Sequence, residues 1–208
     1  MLKTILFDMG NVLVYFSHDR MCQQMGALYD RSESEVRELL MSSGLQAGFE
    51  RGTIQPEELW HEFELRFGAK LGRQVTLQEL ERAGSDIFWL NEPMPELLEE
   101  LKSFGLRLVL LSNTSISHFE FIMREFSVLQ YFDDYVTSYE VGAMKPEPAI
   151  YQAALEKIDC LPEECFYTDD IEIYIEAARE YGLQAEVFHS VAELRTHLKR
   201  AGLDVQVG

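Results

Sequence analysis

Three cysteines in 208 residues, Cys22, Cys160 and Cys165, are too few and too odd in number for a disulfide framework. None forms a C-x-x-C pair, so a zinc site has no support, and the three read as packing residues. Basic residues are also scarce, 18 against 36 acidic, for a formal net charge of −18. A surface this acidic repels phosphate backbones and anionic lipid, so neither nucleic acid nor a membrane surface is an expected partner. No apolar run approaches the roughly 20 residues that a membrane span requires. The opening MLKTILF meets Asp8 too soon to form a secretory core, and a soluble cytoplasmic protein is expected. Repeats and low-complexity linkers are missing too. What remains is a chain with 47% apolar residues, enough for a substantial core in one domain, or in a core with an insert.

The apolar residues follow two rhythms. Thr4–Gly10 is a short continuous run ending in Asp and Gly, as in a strand buried on both faces. From Ser17 to about Leu90 the pattern is helix after helix. Ser32-x-x-Glu35 is a capping box ahead of Val36, Leu39 and Leu40, with Gly44 as the stop. Pro56 opens a helix carrying Leu59, Trp60, Phe63 and Phe67, and Thr76-x-x-Glu79 opens another. No strand alternation is visible here, so the insert is expected to be all-helical. Trp60, Phe63, Phe67, Phe88 and Trp89 are assigned to its core.

Beyond Pro93 and Pro95, strands and helices alternate. Strands are predicted at Arg107–Leu111, Tyr135–Thr137, Cys165–Thr168 and Ala185–Phe188. Helices are predicted at 96–104, 115–126, 147–158 and 171–181, with a last one capped by Ser190 and ended by Gly202. This rhythm specifies an α/β fold: a Rossmann-like parallel sheet with helices on both faces. The expected division is a core of residues 1–15 and 91–208 with a helical insert of 16–90.

Ligands of such sheets bind beyond the carboxyl ends of the strands. Those ends carry Asp8, Ser112-Asn113 and Asp169-Asp170, with Lys145 in a loop before another helix. Crowded carboxylates repel, and a hard divalent cation with oxygen ligands relieves the repulsion. A lysine and a hydroxyl can hold phosphate oxygens, and one carboxylate can attack phosphorus. The bland readings, helix caps and solvated charges, remain open for each residue taken singly.

ILFDMGNVLV, RLVLLSNT, VGAMKPEPAIY and CFYTDD, in that order, resemble the four motifs of the haloacid dehalogenase (HAD) superfamily. Residues 16–90 match its helical cap. FDMGNVLV with LSNT and KPEPAIY resembles the bacterial branch that includes alpha-D-glucose-1-phosphate phosphatase. The resemblance implies a Mg²⁺-dependent phosphatase of small phosphorylated metabolites, with a sugar phosphate such as a hexose 1-phosphate as the leading substrate. Asp8 would be the nucleophile, and Lys145 would pair with it and with the phosphate. Ser112, Asn113, Gly10, Asn11 and Arg51 would line the phosphate and substrate site. Asp8, the Gly10 carbonyl, Asp169 and Asp170 would hold the metal.

Two positions depart from the pattern. Gly10 stands where many relatives have a second Asp as general acid and base, and Tyr174 stands where the branch usually has Asn. Losing a positioned acid costs about 10²–10⁴ in rate, less when the leaving group needs little protonation. His18 and Asp19 are the nearby groups weighed as replacements. A phosphate-binding or regulatory protein with little turnover is the alternative from another class. A 2-haloacid dehalogenase, which needs no metal, is the alternative enzyme.

Overall fold

The computed structural model describes residues 1–206. Strand β1 (Thr4–Phe7) is buried along its whole length, as its unbroken apolar sequence demands. It leads into β2 (Val14–Phe16) and then into helices α1 (His18–Tyr29), α2 (Glu33–Arg37), α3 (Leu45–Glu50), α4 (Pro56–Phe67) and α5 (Leu77–Ser85). The short strand β3 (Phe88–Leu90) returns the chain, and α6 (Met94–Ser103) leads to β4 (Arg107–Ser112). Next come α7 (Ile116–Glu125), β5 (Asp134–Thr137), the single turn α8 (Ser138–Val141) and α9 (Pro148–Lys157). The chain ends with β6 (Cys165–Asp169), α10 (Glu172–Glu180), β7 (Gln184–Val187) and α11 (Val191–Arg200).

The five core strands form one parallel sheet in the order β5-β4-β1-β6-β7. Side chains alternate between its two faces, and the alternation builds two cores. Ile5, Phe7, Leu108, Leu110 and Phe166 face one, with α6 and α11. Leu6, Val109, Leu111 and Tyr167 face the other, with α9 and α10. The predicted α/β architecture is the observed one. Because every strand runs the same way, the ends carrying Asp8, Ser112 and Asp169 lie on one edge.

The inserted helices have a separate core in which Met21, Cys22, Tyr29, Leu40, Phe63 and Phe67 are prominent. The Ser32 and Thr76 capping boxes both form. Two expectations for the insert need correction. It is not all-helical: β3 pairs antiparallel with β2, so a two-stranded ribbon carries the chain out of the sheet and back. Three residues, Phe-Trp-Leu, are too short for alternation to register in sequence. Trp89 is not a core residue; it lies on the outer side of that ribbon, 48% exposed, against Tyr15 across the pair. Gly44 ends the helical stretch opened at Ser32, as expected, in the left-handed conformation (φ +80°), and the chain enters α3 directly after it.

The descending segment after α3 is seated on the sheet domain. Ser138 Oγ donates to the Glu50 carbonyl at 2.6 Å, and Arg51 makes two bonds to Glu147, at 2.7 and 2.5 Å. Gly52 lies so close to Tyr139 that a Cβ would come within 2.2 Å of its carbonyl oxygen. Its φ of +75° independently favours glycine. No helix among the described residues is long and apolar enough to cross a membrane.

Candidate active site

Lys145 is the centre of the site. Its side chain is buried, and its ammonium donates to Asp8 Oδ1 at 2.8 Å, to Asp169 Oδ2 at 2.6 Å and to the Leu111 carbonyl at 3.0 Å. All three donors of the ammonium are thereby used. Asn113 fixes the lysine's backbone in both directions: its Oδ1 accepts from the Lys145 amide at 2.7 Å, and its Nδ2 donates to the Lys145 carbonyl at 3.1 Å. The rings of Tyr174 and Tyr167 flank the ammonium at 5.2 and 5.9 Å. Burial opposes the lysine's charge, but Asp169 and Asp8 outweigh it and keep the group protonated.

Asp169 is fully buried at the end of β6, where Oδ2 also accepts from Tyr167 Oη and Oδ1 accepts from the Ile171 amide at 2.9 Å. Asp170 accepts from Asn11 Nδ2 at 2.9 Å, and Asn11 adopts φ +55° in the turn between β1 and β2. Burial pushes the carboxyl of Asp8 up to about 7, with Asp169 adding to the shift and Lys145 opposing it. Burial raises Asp170 as well, against the bond from Asn11.

The three carboxylates each place an oxygen within 4.8 Å of the others. Three carboxyl groups beside a single ammonium make a site of hard oxygen donors with an excess of acid. Those are the requirements of a hydrated Mg²⁺ or similar divalent cation, and the residues fit one.

At the same strand ends lies a pocket lined by Met9, Gly10, Ser112, Asn113 and Thr114 from the sheet side. Phe16, His18 and Glu50 close it from the ribbon and the inserted helices. Its free volume is about 50 Å³, room for a few waters. The pocket therefore brings together Gly10, Ser112 and Asn113 as the sequence placed them. Asn11 and Arg51 sit differently: the amide of Asn11 is engaged with Asp170, and the guanidinium of Arg51 is engaged with Glu147. Asp19 pairs with Arg37 at the surface, away from this pocket. Sequence reasoning missed Tyr167, and at the end of α3 it assigned a role to Arg51 rather than to its neighbour Glu50, which lines the pocket. Tyr167 had a signal, since it lies two residues before Asp169 on a strand and so shares its face.

His118 also borders the pocket, with Nε2 on the Gly84 carbonyl at 3.1 Å and its ring edge-on to Phe88. Burial pulls its pKa down to about 4, whereas an unfolded histidine titrates near 6.5. Between those values the unfolded chain holds a proton that the folded chain refuses. Stability from this group is complete above about pH 6.5 and is lost as pH falls toward 4. The unfolding free energy measured from pH 7.5 to 5 should fall more steeply for wild type than for His118→Gln, by up to about 1.4 kcal/mol per pH unit. Parallel curves would contradict the assignment.

Comparison with known proteins gives this geometry a family. Residues 2–182 match the haloacid dehalogenase-like hydrolase family. The chain belongs to that family. As a HAD-like protein it is an enzyme, a hydrolase, with a parallel-sheet core and inserted helices. Among its relatives, D-ribitol-5-phosphate phosphatase of Bacteroides thetaiotaomicron is 27% identical over 95% of this chain and 97% of its own length. A phosphorylated carbohydrates phosphatase of Thermotoga maritima is 25% identical over 88% of this chain and 83% of its own. A HAD family enzyme from Bacteroides thetaiotaomicron, solved with magnesium and inorganic phosphate, superposes with a TM-score of 0.79 at 25% identity, covering 92% of this chain and 96% of that one. The L-2-haloacid dehalogenase of Xanthobacter autotrophicus shares the fold at 16% identity, with a TM-score of 0.62.

Proposed function

We propose that this HAD-like hydrolase is a Mg²⁺-dependent phosphatase of small phosphorylated sugars or sugar alcohols, working through a phosphoryl group carried on Asp8. The observation that carries the reading is the Lys145 ammonium held between Asp8 and Asp169, with Asp170 completing the acid cluster. Asp8 Oδ1 is fixed by Lys145, which leaves Oδ2 to attack phosphorus. The Ser112 hydroxyl and the backbone around it face the space where phosphate oxygens would lie. Asn113 serves this arrangement through Lys145, whose backbone it clamps. When bound, Mg²⁺ would neutralise charge on the phosphoryl group and on Asp8, with Asp8, the Gly10 carbonyl, Asp169 and Asp170 as its proposed holders.

The proposed division is a sheet core of residues 1–15 and 91–208 with a cap of 16–90. A pocket this small requires the cap to lift before a sugar phosphate can enter, and its return excludes water from the reaction. The named activities of the two phosphatase relatives support the substrate class. A dehalogenase has less support: the acid pair Asp169-Asp170 suits a cation better than a carboxylate substrate. One observation favours weak turnover as a second reading, namely the lack of a side chain at Gly10.

The test is phosphate release from ribitol 5-phosphate, hexose 1-phosphates and other sugar phosphates, each with Mg²⁺ and with EDTA. Turnover on at least one of them, lost in EDTA and restored by Mg²⁺, is the expected result. Turnover indifferent to EDTA, or none on any substrate, would refute the proposal.

A further inference from the structure

Gly10 poses a problem of proton supply. An alcohol leaving phosphorus carries away negative charge, and a positioned acid normally protonates it. A Cβ on Gly10 would lie 2.9 Å from Cε1 of Phe16, the last residue of β2. Glycine offers no acid and the Phe16 ring packs against it, so the proton must come from another wall of the pocket.

The in-line geometry of phosphoryl transfer says which wall. Attack from Asp8, at the sheet edge, puts the departing oxygen on the far side of phosphorus, toward the inserted helices. Three titratable side chains reach the pocket from beyond the strand ends: His18, His118 and Glu50. His118 is committed to the Gly84 carbonyl and is held neutral by burial. His18 lies against the Phe16 ring, and burial with help from Arg37 lowers its affinity for a proton. Glu50 is the opposite case. Burial raises its carboxyl, with only Gln46 opposing, through a bond from Nε2 to Oε1 at 2.7 Å. No bond to its second oxygen is seen among the described residues.

Glu50 is also the last residue of α3, in a segment of the cap anchored to the sheet core. Its carbonyl accepts from Ser138, the next residue binds Glu147, and Gly52 abuts Tyr139. Ser138 Oγ in turn accepts from the Thr114 amide at 2.9 Å, two residues after Ser112. Closing the cap therefore sets the Glu50 carboxyl in register with the phosphate loop.

We propose that Glu50 is the general acid for the departing hydroxyl, supplying from the cap the proton that Gly10 cannot; this rests on the phosphatase reading above. As Asp8 Oδ2 forms its bond to phosphorus, the bond from phosphorus to the ester oxygen breaks. The proton of Glu50 passes to that oxygen, releasing a neutral alcohol and leaving Glu50 as a carboxylate. In the second step the carboxylate takes a proton from the water attacking phosphorus. The Asp8–phosphorus bond breaks, and phosphate, Asp8 and protonated Glu50 are regenerated.

The experiment is a series of aryl phosphates from 2,4-dinitrophenyl to phenyl, with Mg²⁺, comparing kcat/KM for wild type, Glu50→Gln, Glu50→Asp and His18→Gln. This ratio reports steps up to leaving-group release and is unaffected by later hydrolysis of the phosphoryl-enzyme. Glu50→Gln should lose about 10²-fold or more on phenyl phosphate but less than about threefold on 2,4-dinitrophenyl phosphate, whose leaving group needs no proton. The retained rate on the latter shows that the variant is folded, and Glu50→Asp should fall between wild type and Gln. A uniform loss across the series, no loss at all, or the same steepening in His18→Gln instead would overturn the role of Glu50. If wild type releases nothing from any aryl or sugar phosphate, the phosphatase reading itself falls with it.

Discussion

Asp8→Asn is expected to remove phosphate release altogether, by about 10⁴-fold or more in kcat, while leaving the protein folded. The amide is a poor nucleophile and carries no negative charge to attack phosphorus. Its carbonyl oxygen can still accept the bond that Lys145 donates to Asp8 Oδ1 at 2.8 Å, so the neighbouring geometry survives. The ammonium keeps Asp169 as its counter-ion at 2.6 Å. Burial already pushes the Asp8 carboxyl up to about 7, which shows that its charge is costly in this site. A neutral isostere should therefore unfold at a temperature equal to or above that of wild type. Thermal unfolding and phosphate release measured on the same preparation separate the two effects. Turnover that persists in the folded variant would remove Asp8 as nucleophile. Wild-type turnover no higher than the variant's would favour the phosphate-binding alternative.

The alternation of short apolar runs with capped helices was sufficient for the sheet, because buried parallel strands and amphipathic helices leave distinct periodicities. The predicted Arg107–Leu111 and Cys165–Thr168 runs lie within β4 and β6, and Ser32 and Thr76 form their boxes. The ribbon β2–β3 was hidden because three-residue strands have no period to read. α3 was hidden because it is a six-residue helix that starts directly after the stop at Gly44, too short for a helical period to be read. At the site, the residue types and strand ends were legible, and the family resemblance implied the pairing of Lys145 with Asp8, 137 positions apart, which the structure contains; the bond from Asn11 to Asp170, 159 positions apart, had no signal. Glu50 drew no role of its own from the sequence. Its neighbour Arg51 was the charged residue that drew notice, yet the structure turns Arg51 to Glu147 and leaves Glu50 in the pocket. Adjacent residues at a helix end point in different directions, and one sequence cannot say which of two charges turns inward.

Lys145→Met should destabilise the fold by about 3–5 kcal/mol at neutral pH, because it breaks a buried ion cluster from one side only. Met preserves most of the volume of the lysine stem, so cavity formation contributes little. What is lost is the single cation between Asp8 and Asp169, both buried. Their carboxylates would then face one another without compensation and would either repel or take up protons. For a chain of this size the loss corresponds to a fall in unfolding midpoint of about 6–20 °C. Two further measurements identify the cause. Adding Asp8→Asn to Lys145→Met removes one of the stranded charges and should restore part of the lost stability, a coupling that a double-mutant cycle reads directly. Millimolar Mg²⁺ should raise the midpoint of Lys145→Met more than that of wild type, since the variant presents three acids and no ammonium to the cation. A midpoint for Lys145→Met within about 2 °C of wild type, less than 1 kcal/mol on the same scale, would mean that the ion cluster does not hold the sheet edge together.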